Sequence, residues 1–272
     1  MFMKILVTGH RGFIGQNIWK HFDGQHELFG YDWDDMQRPT IQKYNAVIHL
    51  GAISSTTERD VHKILTQNLD FSKWLFTECA RHDVIFQYAS SASIYGSGTN
   101  FHETASPDPR SPYAWSKYLF DRWVLTQTHD NPVQGYRYFN VYGQHEDHKG
   151  DQASPVHKFS QQARNNGVIK LFEDSDAYKR DFVFVGDLCK VHEAMLQKSV
   201  SGIFNAGTGH AVSFSDVAKA IASKQKASIN LIPMPEALKS QYQAFTCADN
   251  RALAKHVDIN WTHVTTHIHG MN

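Results

Sequence analysis

Tyr113 and Lys117 are the side chains whose types and spacing are best suited to moving a proton. They are four residues apart, so on a helix they lie on one face, one turn from each other. A free phenol has a pKa of about 10, and a nearby ammonium lowers it by stabilising the phenolate. Ser91 follows an apolar run, at what would be the carboxyl end of a strand, where parallel sheets place their ligands. These residues predict proton exchange near neutral pH.

A glycine-rich segment near the N-terminus predicts a dinucleotide site. Gly9, Gly12 and Gly15 have the G-x-x-G-x-x-G spacing between a predicted strand and a predicted helix, which is the context such a turn requires. Glycine lets the backbone approach a pyrophosphate, which then lies at the positive helix N-terminus. The ring of a bound nicotinamide would add its positive charge to the effect of Lys117 on Tyr113.

Asp32 bears on which dinucleotide is bound. It ends the second predicted strand, 17 residues beyond Gly15, where a carboxylate can accept hydrogen bonds from the adenosine ribose. This favours NAD, because the carboxylate would repel a 2′-phosphate. Arg38 or Lys43 in the following loop could neutralise such a phosphate, so both NAD and NADP stay open as cofactors.

These residues lie at the ends of alternating predicted strands and helices. Apolar runs predict strands at Lys4–Val7, Glu27–Asp32, Ala46–Leu50, Val84–Ala89, Val133–Phe139, Asp181–Val185 and Ile203–Ala206, and helical spacing predicts helices at Phe13–Phe22, Asp60–Arg81 and Tyr113–Gln127. The alternation implies an α/β fold with a Rossmann-like doubly wound parallel sheet. Residues 33–45 are interrupted by Pro39 and are too few for a helix-strand-helix unit, so we expect the sheet to be abbreviated there.

The later part of the chain is less regular and predicts a smaller C-terminal substrate domain threaded through the sheet. We expect residues 1–142 plus 181–208 to form the dinucleotide-binding domain, and residues 143–180 plus 209–272 to form the substrate-binding domain. No internal repeat is present.

Composition argues against several classes of protein. The 272 residues include 27 Lys and Arg and 27 Asp and Glu, so no overall field favours nucleic acid or an anionic membrane. No run approaches the roughly 18 apolar residues of a membrane span, and the N-terminus lacks a secretory apolar stretch. Cys79, Cys189 and Cys247 are far apart, and the histidines near the C-terminus match no catalytic metal site. We expect a cytoplasmic protein without a metal.

In this order, the glycine turn, the ribose acid, the strand-end serine and Tyr-x-x-x-Lys resemble the extended short-chain dehydrogenase/reductase family, which acts on nucleotide sugars. From Val47 onward the chain more closely resembles the ADP-glyceromanno-heptose 6-epimerases (ADP-L-glycero-D-manno-heptose 6-epimerases). The matching segments are His49–Glu58, Tyr88–Gly96, Tyr136–Gly143, His148–Gly150, Lys170–Glu173, Tyr178–Val183 and Tyr242–Thr246. The resemblance implies an enzyme that forms homo-oligomers and takes an ADP-linked heptose or related nucleotide sugar.

The resemblance also implies a mechanism. C6 of the heptose is oxidised by the bound nicotinamide, the resulting carbonyl group turns over, and the hydride returns to its other face. Two acid/base groups are then needed, and the resemblance places them at Tyr113 and Lys149. It gives Ser91 a hydrogen bond to the reacting oxygen and gives Lys117 a contact with the nicotinamide ribose. Without the resemblance, the polar stretch around Lys149 would indicate an exposed loop.

The same residue-by-residue match implies further contacts with the cofactor and the substrate. Those at the cofactor are Gly9, Arg11, Gly12, Phe13, Ile14, Gly15, Asp32, Trp33, Leu50, Gly51, Ala52, Ile53, Ser54, Gln67, Lys117 and Val141. Those at the substrate are Ser55, Asn140, Asp151, Phe172, Glu173, Asp174, Ser175, Arg180 and Tyr242. Arg180 suits a diphosphate, whereas Asp174 replaces a glycine of the family and adds negative charge there.

Two other functions stay open at this point. The chain could be another extended short-chain enzyme on a nucleotide sugar, either a 4-epimerase or a reductase. It could also be a sensor that binds NAD(P) without turnover, because a fold does not determine a function. A dehydratase is disfavoured, since Ala92 and Ser93 stand where that activity needs an Asp-Glu pair.

Overall fold

Six parallel strands form the central sheet of the computed structural model, which describes residues 2–55, 57–236 and 243–271. The strands of these residues are β1 (Lys4–Thr8), β2 (Glu27–Tyr31), β3 (Ala46–His49), β4 (Ile85–Ser91), β5 (Val133–Tyr138), β6 (Asn140–Tyr142), β7 (Val168–Phe172), β8 (Lys179–Phe184), β9 (Gly202–Ala206), β10 (Ala211–Ser213) and β11 (Ser228–Ile232). The central sheet has the order β2-β1-β3-β4-β5-β9. The predicted Rossmann-like α/β fold is confirmed.

Helices cover both faces of this sheet. They are α1 (Phe13–Phe22), α2 (Val61–Ile64), α3 (Phe71–Arg81), α4 (Pro112–Val124), α5 (Pro155–Asn166), α6 (Val185–Leu196) and α7 (Phe214–Gln225), followed by short helices at Arg251–Ala254 and Val264–Gly270. Ile5 and Val7 of β1 pack in one cluster with α1 and α6, whereas Leu6 packs in another with α3 and α4. Because alternate strand residues face opposite sides, the two helix pairs cover opposite faces.

The strand order reverses between β1 and β3, and this reversal creates the binding crevice. The chain passes from β1 to β2 on one side and then returns to β3 on the other. In such sheets, ligands bind outside the carboxyl ends of the strands at this point. Only a 3₁₀ turn, Ile41–Lys43, lies between β2 and β3, so β2 is an edge strand and the predicted abbreviation is confirmed.

A wide turn interrupts the helix that was predicted to be continuous over Asp60–Arg81. Asp60 caps its start by accepting a hydrogen bond from Lys63 N at 2.9 Å, and a π-helical segment, Leu65–Asp70, joins α2 to α3. Such segments are rare and occur often at functional sites. Here the segment carries Asn68, whose side chain is buried.

The remaining strands form two small sheets outside the central one. One has the order β10-β8-β6, and the other pairs β11 with β7. The strand predicted at Asp181–Val185 therefore exists as β8, beginning two residues earlier, but it pairs with β6 and β10, whereas β9 pairs with β5. The division into two domains stays a prediction. No helix of the described residues is long and apolar enough to cross a membrane.

Candidate active site

A cavity of about 500 Å³ opens where the turns after β1 and β3 meet. Its volume lies within the range of small-molecule sites. It is lined by Thr8, Gly9, Gly12, Phe13, Ile14, Gly15, Tyr31, Asp32, Trp33, Leu50, Gly51, Ala52, Ile53, Ser54, Ser55, Gln67, Phe71, His148, Lys149 and Gln152. Most of the residues predicted to bind the cofactor are brought together here.

The glycines of the first turn leave no room for a side chain, because the backbone packs closely around them. A Cβ atom on Gly15 would lie 2.1 Å from the carbonyl oxygen of Gly9. Gly9 has a φ of +71°, and a Cβ there would lie 2.6 Å from the backbone of Gly51. Helix α1 begins directly after Gly12, and its N-terminus has no side-chain cap. This cradle of backbone N–H groups fits the pyrophosphate of a dinucleotide.

Asp32 lies at the β2 side of the cavity and is held by the first turn. Its Oδ2 accepts a hydrogen bond from Arg11 N at 3.2 Å and lies 2.8 Å from His10 Nδ1. The Arg11 guanidinium pairs with the carboxylates of Asp34 at 2.9 Å and Asp35 at 2.7 Å, and its Nε lies 3.5 Å from Asp32 Oδ2. Burial raises the pKa of Asp32, and the Arg11 hydrogen bond offsets part of that effect. Arg11 thus supports Asp32 through both its backbone N–H and its guanidinium, and it does not itself line the cavity.

Arg38 and Lys43, the two basic residues considered for a 2′-phosphate, pack against aromatic rings. The Arg38 guanidinium lies 4.5 Å from the centre of the Trp74 ring and 5.9 Å from that of Phe71, which lines the cavity. Lys43 Nζ lies 5.6 Å from the centre of Phe29, which does not line the cavity. None of these contacts places a cation beside Asp32.

Hydrogen bonds connect the turn after β3 to helix α4. Asn68 accepts a bond from Ile53 N at 2.8 Å, and its amide donates to Ile53 O at 3.0 Å and to Ser116 Oγ at 3.1 Å. Ser116 in turn donates to the carbonyl oxygen of Tyr113 at 2.7 Å. The cavity wall and the helix that carries Tyr113 are therefore one connected unit. Sequence analysis assigned a ligand contact to Gln67, which does line the cavity, and missed this role of Asn68.

The structure brings Ser91, Tyr113 and Lys117 close together. Ser111 caps α4 by accepting a hydrogen bond from Ala114 N at 3.1 Å, which places Tyr113 in the first turn. Tyr113 is hydrogen-bonded to Ser91. Because Ser91 Oγ accepts from Ser93 N at 3.2 Å and from Ser93 Oγ at 2.9 Å, its own proton can be donated to the phenol oxygen.

Lys117 is buried against the end of β4. Its Nζ donates to Ala89 O at 2.7 Å and lies 6.0 Å from the centre of the Tyr113 ring. Burial lowers the pKa of Lys117 to about 8, and Asp121, one turn further along α4, acts in the opposite direction. Burial also raises the pKa of Tyr113, and the Ser91 hydrogen bond offsets part of this. That direction is opposite to the one expected from Lys117, because the desolvation of the phenolate dominates.

Lys149 is partly buried, not exposed as its polar surroundings alone would indicate. It lies in a 3₁₀ segment, Asp147–Gln152, and its Nζ is 5.1 Å from the centre of the Phe13 ring. With His148 and Gln152 it forms one wall of the cavity. Burial lowers the pKa of Lys149, while Glu146 raises it. Lys149 can therefore lose its proton more easily than an exposed lysine.

The residues predicted to bind substrate are more scattered. Ser55 lines the cavity, and Asn140 lies near Thr246 Oγ1 at 3.4 Å. Next to Asn140, Val141, which was predicted to contact the cofactor, packs in a hydrophobic cluster. The side chain of Asp151 is exposed, and its carbonyl accepts a hydrogen bond from Lys158. Tyr242 lies outside the described residues.

Phe172 to Ser175 form a tight turn at the end of β7. Ser175 Oγ donates to the carbonyl oxygen of Phe172, and Glu173 and Asp174 are exposed. Asp174 has a φ of +60°, a conformation that glycine adopts without strain and that aspartate tolerates better than most residues. The Arg180 guanidinium is buried, donating to the carbonyl oxygens of Lys179 and Gln243. None of these residues lines the cavity at the β1–β3 crevice.

Sequence reasoning missed several residues of the cavity wall. Thr8 stands directly before Gly9, and His148 directly before Lys149, so their neighbours were a usable signal. For Tyr31 and Phe71 the sequence gives no such signal, because they meet only in the fold, where their rings stack 5.5 Å apart. Within the described residues, no group of three or more His, Cys, Asp and Glu side chains could hold a metal ion.

The arrangement combines a dinucleotide cradle with two candidate acid/base groups. Tyr113 has a serine donor and a buried ammonium beside it, and Lys149 has a lowered pKa at the wall of the cradle. Such a site can transfer protons to and from a substrate oxygen held near the bound cofactor.

Solved structures with the same fold act on nucleotide sugars. The ADP-L-glycero-D-manno-heptose-6-epimerase of Helicobacter pylori matches with a TM-score of 0.87 and 23% identity, over 99% of this chain and 97% of that one. UDP-N-acetylglucosamine 4-epimerase from Methanobrevibacter ruminantium matches with a TM-score of 0.87 and 19% identity, over 98% and 96%. UDP-glucose 4-epimerase of Thermus thermophilus, solved with NAD, matches with a TM-score of 0.81 and 24% identity, over 98% and 97%.

At identities this low, the structural matches establish the fold alone. The family follows from a match of the sequence. The family model described as the NAD dependent epimerase/dehydratase family matches residues 5–207, most of the 272-residue chain. That segment contains the glycine turn, the Tyr113–Lys117 pair and Lys149. The chain belongs to the NAD-dependent epimerase/dehydratase family.

Proposed function

We propose that this protein is a nucleotide-sugar epimerase that inverts C6 of an ADP-linked heptose. The observation that carries the proposal is the presence of two separate acid/base candidates: Lys149 in the wall of the dinucleotide cavity, and Tyr113 on helix α4, which Asn68 and Ser116 connect to that wall. Inversion through a planar carbonyl needs proton transfer on both faces, whereas a simple reductase needs one such group. The likeness of segments from Val47 onward to heptose 6-epimerases supports the choice of sugar.

Each residue of the site has a distinct task in this proposal. A nicotinamide cofactor held by the glycine turn and Lys117 would supply the hydride acceptor and donor. Ser91 donates a hydrogen bond to the reacting oxygen, and Tyr113 exchanges the proton of that oxygen on one face. Lys117, fixed by the Ala89 carbonyl, supplies a positive charge beside Tyr113 and binds the cofactor ribose. Lys149 exchanges the proton on the other face.

The proposal is tested by incubating the protein with ADP-D-glycero-D-manno-heptose and following the configuration at C6 by NMR. UDP-glucose and UDP-N-acetylglucosamine are run in parallel, with C4 as the observed centre. Interconversion at C6 is the expected result. Inversion only at C4 would make the protein a 4-epimerase, and a protein that binds dinucleotide but turns over no sugar at stoichiometric amounts would be the NAD(P) sensor.

We propose NAD rather than NADP as the cofactor. Asp32 lines the cavity, and the Arg11 guanidinium, whose Nε lies 3.5 Å from Asp32 Oδ2, is also bound by Asp34 and Asp35. Three carboxylates in this segment oppose a 2′-phosphate dianion, and the contacts of Arg38 and Lys43 supply no cation beside Asp32. Mass spectrometry of the dinucleotide released on denaturation identifies the one the protein retains.

Asp32→Ala is expected to weaken NAD binding about 10- to 100-fold, because a hydrogen bond to a charged group contributes about 1.5–3 kcal/mol. NADP binding should weaken less or improve, since the repelling charge is gone. Isothermal titration calorimetry with both dinucleotides measures the ratio. Asp23→Asn, which removes an exposed charge at the end of α1, is the matched control. An unchanged NAD to NADP ratio in Asp32→Ala would remove Asp32 from cofactor selection.

A further inference from the structure

Glu146 is a buried carboxylate in the loop between β6 and α5, and it is only 1% exposed. Its Oε1 accepts hydrogen bonds from Gly143 N at 3.0 Å and from Ser154 Oγ at 2.8 Å. Its Oε2 accepts one from Ser154 N at 2.6 Å. A buried carboxylate is tolerated only when it is well hydrogen-bonded, and these three bonds join the two ends of the loop.

The same residue holds the segment that carries Lys149. The carbonyl oxygen of Glu146 accepts a hydrogen bond from Lys149 N at 2.9 Å, which forms the first turn of the 3₁₀ segment. Gly150 then reverses the chain with a φ of +50°, and Ala153 N donates back to Gly150 O at 3.1 Å. The side chain of Glu146 fixes where the loop starts and ends, and its backbone fixes the turn within it.

The far end of the loop is anchored to a helix. Ser154 is the N-cap of α5 and accepts a hydrogen bond from His157 N at 3.1 Å while it donates to Glu146. The position of Lys149 is thereby tied to α5 on one side and to β6 on the other. Its Nζ lies against Phe13, in the first turn of α1.

Few charged groups face Lys149. Glu146 is the charge that opposes the effect of burial on it. Of the other titratable groups near the loop, Asp147 pairs with His157 at 3.7 Å, and His148 and Asp32 line the same cavity as Lys149. Glu146 can thus influence Lys149 both by geometry and by charge.

We propose that Glu146 is the positioning residue that holds Lys149 at the wall of the dinucleotide cavity, and that its negative charge favours the ammonium form of Lys149. The catalytic part of this inference rests on the proposed function, because it requires that Lys149 reacts. The effect on protonation is independent of any substrate.

The test is the titration of Lys149 by NMR in protein labelled with ¹³C at lysine Cε, with the resonance assigned from Lys149→Arg. In Glu146→Gln the midpoint of the Lys149 titration should move to lower pH, because the charge that stabilises the ammonium is lost. Turnover should fall by up to about 100-fold, since small misplacements of a reacting group have costs of that size. The dissociation constant for NAD should stay within about twofold.

Two variants separate this role from a merely structural one. Glu146→Asp keeps the charge, so the titration midpoint should return toward that of the wild type. It also replaces Glu146→Gln as the test variant if Glu146→Gln does not fold. Glu27→Gln removes an exposed carboxylate paired with Lys4 and should change neither readout. A folded Glu146→Gln with an unmoved Lys149 titration overturns the inference. If the wild type does not epimerise the sugar but Glu146→Gln still shifts the Lys149 titration midpoint, the proposed function is rejected. The link between Glu146 and Lys149 then still stands.

Discussion

Tyr113→Phe is expected to slow epimerisation by about 10²- to 10⁴-fold, the range that a positioned general acid/base contributes. Phenylalanine keeps the ring and removes only the hydroxyl that is hydrogen-bonded to Ser91. The cradle for the dinucleotide lies on the turns after β1 and β3, so the dissociation constant for NAD should change by less than about threefold. Turnover is measured by NMR at C6, and binding by calorimetry.

Tyr118→Phe is the matched control, because Tyr118 lies on the same helix, is partly buried and packs against Trp115. It should retain nearly full turnover. If Tyr113→Phe also turned over at the rate of the wild type, Tyr113 would play no part in the chemistry. A large loss of NAD affinity in Tyr113→Phe would instead indicate that the hydroxyl serves binding.

In the proposed mechanism, Lys117 offsets the effect of burial on the Tyr113 phenolate. Burial raises the pKa of Tyr113, so ionisation needs a compensating positive charge close by. Lys117, with a pKa lowered to about 8, is protonated below that value and loses its charge above it. The support it gives Tyr113 is therefore present at neutral pH and declines as the pH rises through about 8.

Local sequence rules were sufficient where a residue's task depends on the chain next to it. Gly9 and Gly15 could be identified because the turn between β1 and α1 is a local structure that only glycine fits. Ser91 could be placed because β4 is an apolar run that ends at it. The missing unit between β2 and β3 followed from the number of residues available and from Pro39.

Sequence rules failed where a residue's task depends on distant contacts. Glu146 stands in a polar stretch that indicates exposure, yet it is buried because Gly143 and Ser154 supply three donors from both ends of the loop. Asn68 lies on a helix whose wide turn has no sequence signature, and its partner Ile53 is 15 residues away. Burial of a polar side chain is decided by the partners that the whole fold brings to it.

Arg180 shows the opposite case, in which a residue suited to a ligand is used by the protein itself. Its guanidinium was expected at a diphosphate, but in this structure it donates to the carbonyl oxygens of Lys179 and Gln243 and lies 5.3 Å from the centre of the Phe214 ring. A planar guanidinium satisfies backbone carbonyls as well as phosphates, so residue type alone does not distinguish the two.

Lys149→Met is the second change with a large expected effect, a loss of about 10²- to 10⁴-fold in turnover. Methionine is similar in length and apolar, so it can keep the contact with Phe13 while it removes the ammonium. The loop should hold its shape, because the hydrogen bonds of Glu146 involve the backbone of residue 149 and not its side chain. Lys198→Met, at an exposed position, is the control and should be neutral.

Binding measurements decide between the two roles that the position of Lys149 allows. Lys149 lies beside the N-terminus of α1, where a pyrophosphate would bind, so it could serve as a phosphate ligand rather than as an acid/base. A phosphate ligand predicts an NAD dissociation constant raised about 10-fold or more, since charge-assisted bonds contribute about 1.5–3 kcal/mol. An acid/base predicts an unchanged constant with lost turnover. Because an epimerase uses both faces of the carbonyl, Lys149→Met and Tyr113→Phe should each reduce turnover severely. The double variant should lose much less turnover than the product of the two single losses.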